Sequence, residues 1–154
     1  MNNNLIITIG RQYGTGGREI GQKLALRLGI PFYDRELITR AAKKTGFDEK
    51  LFEQLDKRAT NSFLYSLTMF GSVGLNGMSL TDQLYLAQSN IIREMAEDSS
   101  CVIVGRCADH VLRDFPNKFD FFIHGSIEDR VKRIQTCGDY EIEGKTPEAA
   151  LEKM

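Results

Sequence analysis

The chain has 154 residues and a mass of 17.4 kDa, enough for one domain with a buried core. Because 20 Lys+Arg oppose 21 Asp+Glu, the net charge is −1, which excludes a general attraction to nucleic acid or to an anionic membrane surface. No apolar stretch approaches the roughly 18 residues of a membrane span, and three cysteines without a C-x-x-C spacing argue against a disulfide framework or zinc ribbon. We therefore expect a cytoplasmic protein.

The first half of the chain begins with a strand, a glycine-rich turn and a helix. Leu5–Ile9 (LIITI) is an apolar, β-branched run typical of a buried strand. The turn at 10–17 precedes apolar residues at helical spacing, and this helix is predicted to end at Gly29 with a left-handed cap. Residues 32–33 are a short strand candidate. Asp34 is suited to cap the next helix.

The second half continues the alternation of helices and strands. Thr81–Glu97 is the clearest helix, and Cys101–Val104 (CVIV) and Phe119–Ile123 (FDFFI) are predicted to be strands. A capping box at Ser126 begins another helix, and Thr146-Pro147-Glu148 begins a last one. This alternation predicts an α/β fold with about four parallel strands.

The glycine-rich turn has the arrangement that binds phosphate, because backbone N–H groups and the positive end of the helix dipole face the same point. Gly10-x-x-x-Gly14-x-Gly16 is one pattern in it, similar to that of short-chain dehydrogenases. Asp34 follows Gly14 by about 20 residues, where a dinucleotide-binding fold places its ribose acid. The sequence has no Tyr-x-x-x-Lys pair, however, so an NAD(P)-binding Rossmann protein is the less favoured interpretation.

A modified P-loop is the favoured interpretation. Gly14-Thr15-Gly16-Gly17 fits the G-x-G-K end of a kinase loop, except that Gly17 occupies the lysine position and no Ser or Thr follows it to bind Mg²⁺. Arg11 occupies the position of the first glycine of the motif. Arg18 is the nearest cation, and we expect it to be exposed and to replace the lysine, so that Arg18→Glu weakens ATP binding without disturbing the fold.

Three blocks of sequence, at 9–21, 32–38 and 101–109, come in the order and spacing of one family. Through them the chain resembles the cytidylate kinase-like family, relatives of bacterial cytidylate kinase. The resemblance implies a three-layer P-loop kinase fold of the nucleoside monophosphate kinase type, with strand order 2-3-1-4. It also implies an ATP site formed by Gly14, Thr15, Gly16, Gly17, Arg18 and Glu19.

The resemblance implies roles for further residues in an ATP-dependent phosphotransferase that uses a nucleoside monophosphate or similar small acceptor. Asp34 would face the acceptor nucleoside and Arg106 would bind the acceptor phosphate. Arg130 and Arg133 lie at the start of the lid helix, and one of them would reach the transferred phosphoryl group. Together with Arg18 and Arg106, they are the predicted catalytic residues. Bacterial cytidylate kinases have Asp where this chain has Val104, so Mg²⁺ would be held mainly by the nucleotide rather than by a protein metal site. A nucleotide-binding protein without transfer activity is the alternative.

The resemblance also predicts the organisation of the chain. Residues 1–154 would form a single domain, with a helical insertion on the acceptor side at about 35–98 and a partial lid at about 126–154. Relatives continue with a fifth strand and a closing helix, so we expect a truncated family member that transfers phosphate poorly. The edge at Phe119–Ile123 would then favour a homo-oligomer or aggregation.

Overall fold

The computed structural model describes residues 3–34 and 80–137, together with 146, 147 and 151. The predicted helix after Asp34 and most of the acceptor-side insertion at 35–98 lie outside the described residues, as does most of the lid beyond 137. Pro147 and Leu151 are helical, in agreement with a helix that starts near Thr146. In the described part of the chain, no helix has both the length and the apolar character needed to cross a membrane.

Within the described residues, four parallel strands form the sheet, in the predicted order β2-β3-β1-β4. Their bounds are β1 Ile6–Arg11, β2 Phe32–Tyr33, β3 Cys101–Val104 and β4 Lys118–Ile123. β1 runs two residues beyond the predicted Ile9, because Gly10 and Arg11 continue the pairing with Phe122 and Ile123 of β4. A Rossmann fold places its second strand beside the first, whereas β3 separates them here, so the dinucleotide-binding interpretation is wrong.

The described helices are α1 Gly17–Leu28, α2 Leu80–Asp98, α3 Ala108–Val111 and α4 Ile127–Thr136. α1 ends as predicted at Gly29, whose φ of 66° is left-handed and whose N–H donates to the carbonyls of Ala25 and Leu26. α4 begins at Ser126, whose side chain accepts a hydrogen bond from the Asp129 N–H. Both helix boundaries therefore follow from local capping chemistry.

Two apolar clusters cover the two faces of the sheet and make the fold three-layered. One face packs against α2 and α3 through Ile6, Ile92, Ala96, Cys101, Ile103, Ala108, Val111 and Leu112. The other face packs against α1 through Ile7, Ile9, Ala25, Val102 and Val104. All four residues of β3 are buried, as expected for an interior strand of a parallel sheet.

β4 is the outermost strand on its side of the sheet among the described residues. Its central residues are exposed on both faces, with Phe119, Phe121 and Phe122 between 51% and 65% exposed. Phe122 contacts Gly10, where a Cβ would lie 2.9 Å from its ring. Burial within the described fold therefore accounts for only part of the apolar character of β4.

Candidate functional site

The glycine loop connects the end of the central strand β1 to the start of α1. Gly14 and Gly16 have φ values of 87° and 76°, a region that side-chain-bearing residues rarely adopt. The Gln12 carbonyl accepts hydrogen bonds from the Thr15 backbone N–H at 3.4 Å and from Thr15 Oγ1 at 2.8 Å. The loop is therefore a defined turn in which the Thr15 hydroxyl is directed to the loop's own backbone.

Helix α1 presents its N-terminus at this loop. Its N-cap residue is Gly16, so no capping side chain competes for the N–H groups of the first turn. These groups, together with a helix dipole equivalent to about half a positive charge, favour a bound anion. The loop also lies at the carboxyl end of the parallel strands, where open α/β sheets bind ligands.

A cleft of about 180 Å³ lies over the loop. It is lined by Arg11, Gln12, Tyr13, Gly14, Gly16, Gly17, Arg18, Glu19 and Arg133. Three arginines face one glutamate, so the lining carries an excess of positive charge. The cleft includes the predicted site residues of the loop except Thr15, and of the predicted catalytic arginines it includes Arg18 and Arg133.

Arg133, on α4, lies directly over the loop. A Cβ on Gly16 would be 2.5 Å from Arg133 Cζ, so a side chain there would displace the guanidinium from its observed position. The Glu19 carboxylate accepts hydrogen bonds from Arg133 and from Lys23 Nζ, and the bonds from Lys23 and Arg133 lower the pKa of Glu19. The lowered pKa keeps Glu19 ionised, and its carboxylate holds Arg133 in place at the edge of the cleft.

Arg130, the other predicted lid arginine, has a different position. It is 8% exposed, and its Nε donates a 2.7 Å hydrogen bond to the Tyr13 carbonyl. A Cβ on Gly14 would lie 3.0 Å from the Arg130 carbonyl and 2.9 Å from Ile134 Cδ1. Arg130 therefore fixes α4 against the glycine loop and does not line the cleft.

Arg18 and Asp34 form an ion pair, with 2.7 Å between Arg18 Nε and Asp34 Oδ2. The Asp34 side chain is 6% exposed and that of Arg18 is 45% exposed. The structure therefore brings together two residues with separate predicted roles, one toward ATP and one toward the acceptor. Asp34 is outside the cleft lining, but it contacts a residue that belongs to it.

Arg106 follows β3 in a strained segment. Gly105, Arg106 and Cys107 have successive φ values of 80°, 58° and 52°, although two of them carry side chains. Left-handed conformations cost such residues roughly 1–2 kcal/mol each, and such strain is concentrated at functional sites. The Gly105 N–H donates to the Ile9 carbonyl, which fixes this segment beside β1. Arg106 is partly buried there and does not line the cleft.

Three cleft residues, Gln12, Tyr13 and Arg11, are not among the predicted site residues, and Arg11 is the charged one. It is exposed at the end of β1, and its side chain packs beside Gly17 and reaches Gly105. Motif comparison treated it only as a residue in place of a glycine. Its position at the carboxyl end of the central strand is the signal that could have identified it.

Known proteins of similar sequence and structure agree with this fold. A crystal structure of an uncharacterized protein from Eubacterium ventriosum ATCC 27560 is similar, with a TM-score of 0.67 and 30% sequence identity. The match covers 98% of this chain and 69% of that one. No curated protein matches the chain. The model of the cytidylate kinase-like family matches residues 6–154. This match supports a role in nucleotide binding of the kinase type. The chain therefore belongs to the cytidylate kinase-like family.

Proposed function

We propose that this protein is a cytoplasmic ATP-dependent phosphotransferase that moves the γ-phosphate to a nucleoside monophosphate or a similar small acceptor. The observation that carries the proposal is the cleft in which Arg11, Arg18 and Arg133 surround a glycine loop at a helix N-terminus. Family membership supports the same kind of ligand. Backbone N–H groups of the loop would bind the phosphates, and the arginines would neutralise their charge.

Phosphoryl transfer depends mainly on positioning the reacting groups and on neutralising their charge, so we expect the arginines to contribute most to catalysis. Arg133 lies over Gly16 and is the best placed to contact the transferred group. Arg130 would act indirectly, because its bond to the Tyr13 carbonyl holds α4 and hence Arg133 against the loop. Arg18 would serve the donor phosphates from the first turn of α1.

The carboxylates near the cleft are engaged by basic side chains. Glu19 is bonded to Arg133 and Lys23, and Asp34 to Arg18, while the Thr15 hydroxyl donates to Gln12. These groups suit Mg²⁺ poorly as direct ligands, so the ion would enter bound to the nucleotide phosphates. Mg²⁺ would shield phosphate charge there and polarise the transferred group.

On the acceptor side, we propose that Asp34 faces the acceptor nucleoside and that Arg106 binds its phosphate through a bidentate guanidinium contact. The strained backbone at Arg106 supports a functional role. Arg18 belongs to the proposed donor site and Asp34 to the proposed acceptor site, so the ion pair between them would connect the two sites.

A nucleotide-binding protein without transfer is the second candidate, favoured by the glycine at the lysine position and by the engaged Thr15 hydroxyl. Calorimetry with ATP and with CMP, followed by a coupled ADP-release assay on the same preparation, separates the two. Binding with acceptor-dependent ADP release supports the phosphotransferase, and binding without release supports the alternative. Absence of ATP binding contradicts both.

A further inference from the structure

We propose that Arg11 supplies the main phosphate-binding cation of this loop, in compensation for the missing lysine at position 17. The ligand is the di- or triphosphate group of a nucleotide. The inference rests on the proposed function and deepens it, because it assigns to a strand residue the charge that a P-loop normally takes from its helix.

The sequence pattern shows an exchange of residue types between two positions. In G-x-x-x-x-G-K, with Gly16 as the second glycine, the first glycine falls on residue 11 and the lysine on residue 17. This chain has Arg11 and Gly17 at those positions. A glycine and a cation are therefore both present, in reversed order.

The structure explains why the two changes occur together. A Cβ on Gly17 would lie 2.7 Å from Arg11 Cβ and 2.9 Å from Arg11 Cγ, closer than real side-chain atoms approach. These two atoms are at the root of the Arg11 side chain, so rotation of the distal guanidinium cannot relieve the overlap. A side chain at position 17 and the observed Arg11 conformation thus exclude each other.

The Arg11 side chain starts beside Gly17 in the glycine loop. It reaches Gly105 at the end of β3, where an added Cβ would overlap Arg11 Nη1, and Arg11 lines the cleft together with Arg18 and Arg133. Arg18, in the first turn of α1, directs its Nε to Asp34. Arg11 also extends from the end of the central strand, the position from which a side chain can reach a ligand held on the first turn of α1.

The test measures binding of ATP and of inorganic tripolyphosphate by calorimetry. Arg11→Ala should weaken both at least tenfold, as expected from the loss of a charge-assisted contact. Arg113→Ala is the matched control, because Arg113 is exposed, does not line the cleft and contacts only its near neighbours His110 and Asp114 among the partners described. That control should stay within twofold of the wild type.

A charge-conserving swap tests the exchange itself. Gly17→Lys alone should lower both the thermal unfolding temperature and tripolyphosphate affinity, because the lysine overlaps Arg11. The double variant Arg11→Gly/Gly17→Lys should regain affinity to within a few-fold of the wild type and should recover the unfolding temperature lost by Gly17→Lys.

Three results would contradict the inference in whole or in part, and they can be told apart. If Arg11→Ala binds both ligands within twofold of the wild type, Arg11 is not the phosphate-binding cation, and the proposed function stands. If the wild type binds neither ligand, the proposed function and the inference fail together. Equal unfolding temperatures for Gly17→Lys and the wild type would contradict the steric part, whatever the affinities.

Discussion

The Arg18 guanidinium binds the buried carboxylate of Asp34, with 2.7 Å between Nε and Oδ2. The pair connects the first turn of α1 to the residue after β2, and so joins the proposed phosphate side of the fold to the proposed acceptor side. This contact also changes the expectation that Arg18→Glu leaves the fold intact. A glutamate there would place a second carboxylate against Asp34.

The first prediction therefore uses Arg18→Gln, which removes the charge with little change in length. We expect ATP affinity to fall roughly tenfold. The free energy of unfolding should fall by about 1–2 kcal/mol, between the values for exposed and buried ion pairs. Arg18→Glu should be less stable still. Calorimetry measures the ATP affinity, and urea unfolding measures the free energy of unfolding.

Arg27→Gln is the control for this prediction, because Arg27 is exposed in the last turn of the same helix. It should leave ATP affinity unchanged. If Arg18→Gln matches this control in affinity and in stability, the pair has no functional or structural role and the assignment of Arg18 to the phosphates is wrong.

The fold could be predicted from sequence where local chemistry determines it. The apolar runs at Cys101–Val104 and Phe119–Ile123 form strands, Gly29 ends α1 and the Ser126 cap begins α4. Each of these features depends on a residue and its near neighbours. The strand order came instead from the family resemblance, because the sheet joins residues far apart in the chain.

The site was less predictable, because its contacts are non-local. Arg130 and Arg133 lie three residues apart on one helix, yet one is buried against the Tyr13 carbonyl and the other faces the cleft. Charge and helical spacing do not distinguish them. Arg11 likewise acquires its position only when β1 and β3 are paired and Gly105 lies beside it.

The second prediction concerns acid stability. Asp120 accepts hydrogen bonds from Thr8 Oγ1 at 2.6 Å and from Lys118 Nζ. Burial raises the pKa of Asp120, but the bonds from Lys118 and Thr8 outweigh it and leave the pKa below its usual range. The ionised carboxylate therefore stabilises the fold above the unfolded pKa of about 3.9, and this contribution is lost as the pH falls through the folded value.

Asp120→Asn should accordingly be less stable than the wild type at pH 7, and the difference should shrink below about pH 4. Urea unfolding across the pH range measures this. Asp114→Asn, at an exposed carboxylate, should follow the wild type throughout. A constant difference between Asp120→Asn and the wild type at every pH would show that the ionised carboxylate makes no contribution.

The third prediction concerns the exposed edge of the sheet. Phe119 and Phe121 lie on one face of β4 and are 52% and 51% exposed. Exposed apolar edge strands favour association between chains. Phe119→Thr/Phe121→Thr keeps residues that suit a strand and should reduce concentration-dependent self-association in sedimentation velocity. Leu26→Thr is the control, at a more exposed apolar residue on α1, and it should leave self-association unchanged. Equal association of the wild type and both variants contradicts the prediction.

The last prediction compares two glycines with left-handed backbones. Gly29, with a φ of 66°, has no atom within 4 Å of an added Cβ, so Gly29→Ala carries only backbone strain and should cost about 1 kcal/mol. Gly14, with a φ of 87°, would in addition bring its Cβ to 2.9 Å from Ile134 Cδ1 and 3.0 Å from the Arg130 carbonyl. Gly14→Ala should therefore cost about 3 kcal/mol in urea unfolding, because α4 must move away from the loop.

The same displacement should affect ligand binding, since α4 carries Arg133 over the cleft. Gly14→Ala should weaken ATP binding, whereas Gly29→Ala, at the opposite end of α1, should leave it unchanged. The comparison separates the strain of a left-handed residue, which both variants share, from the contact between α4 and the loop, which only Gly14 makes. Equal costs in stability and equal ATP affinities for the two variants would mean that the contact of α4 with the loop does not support the site.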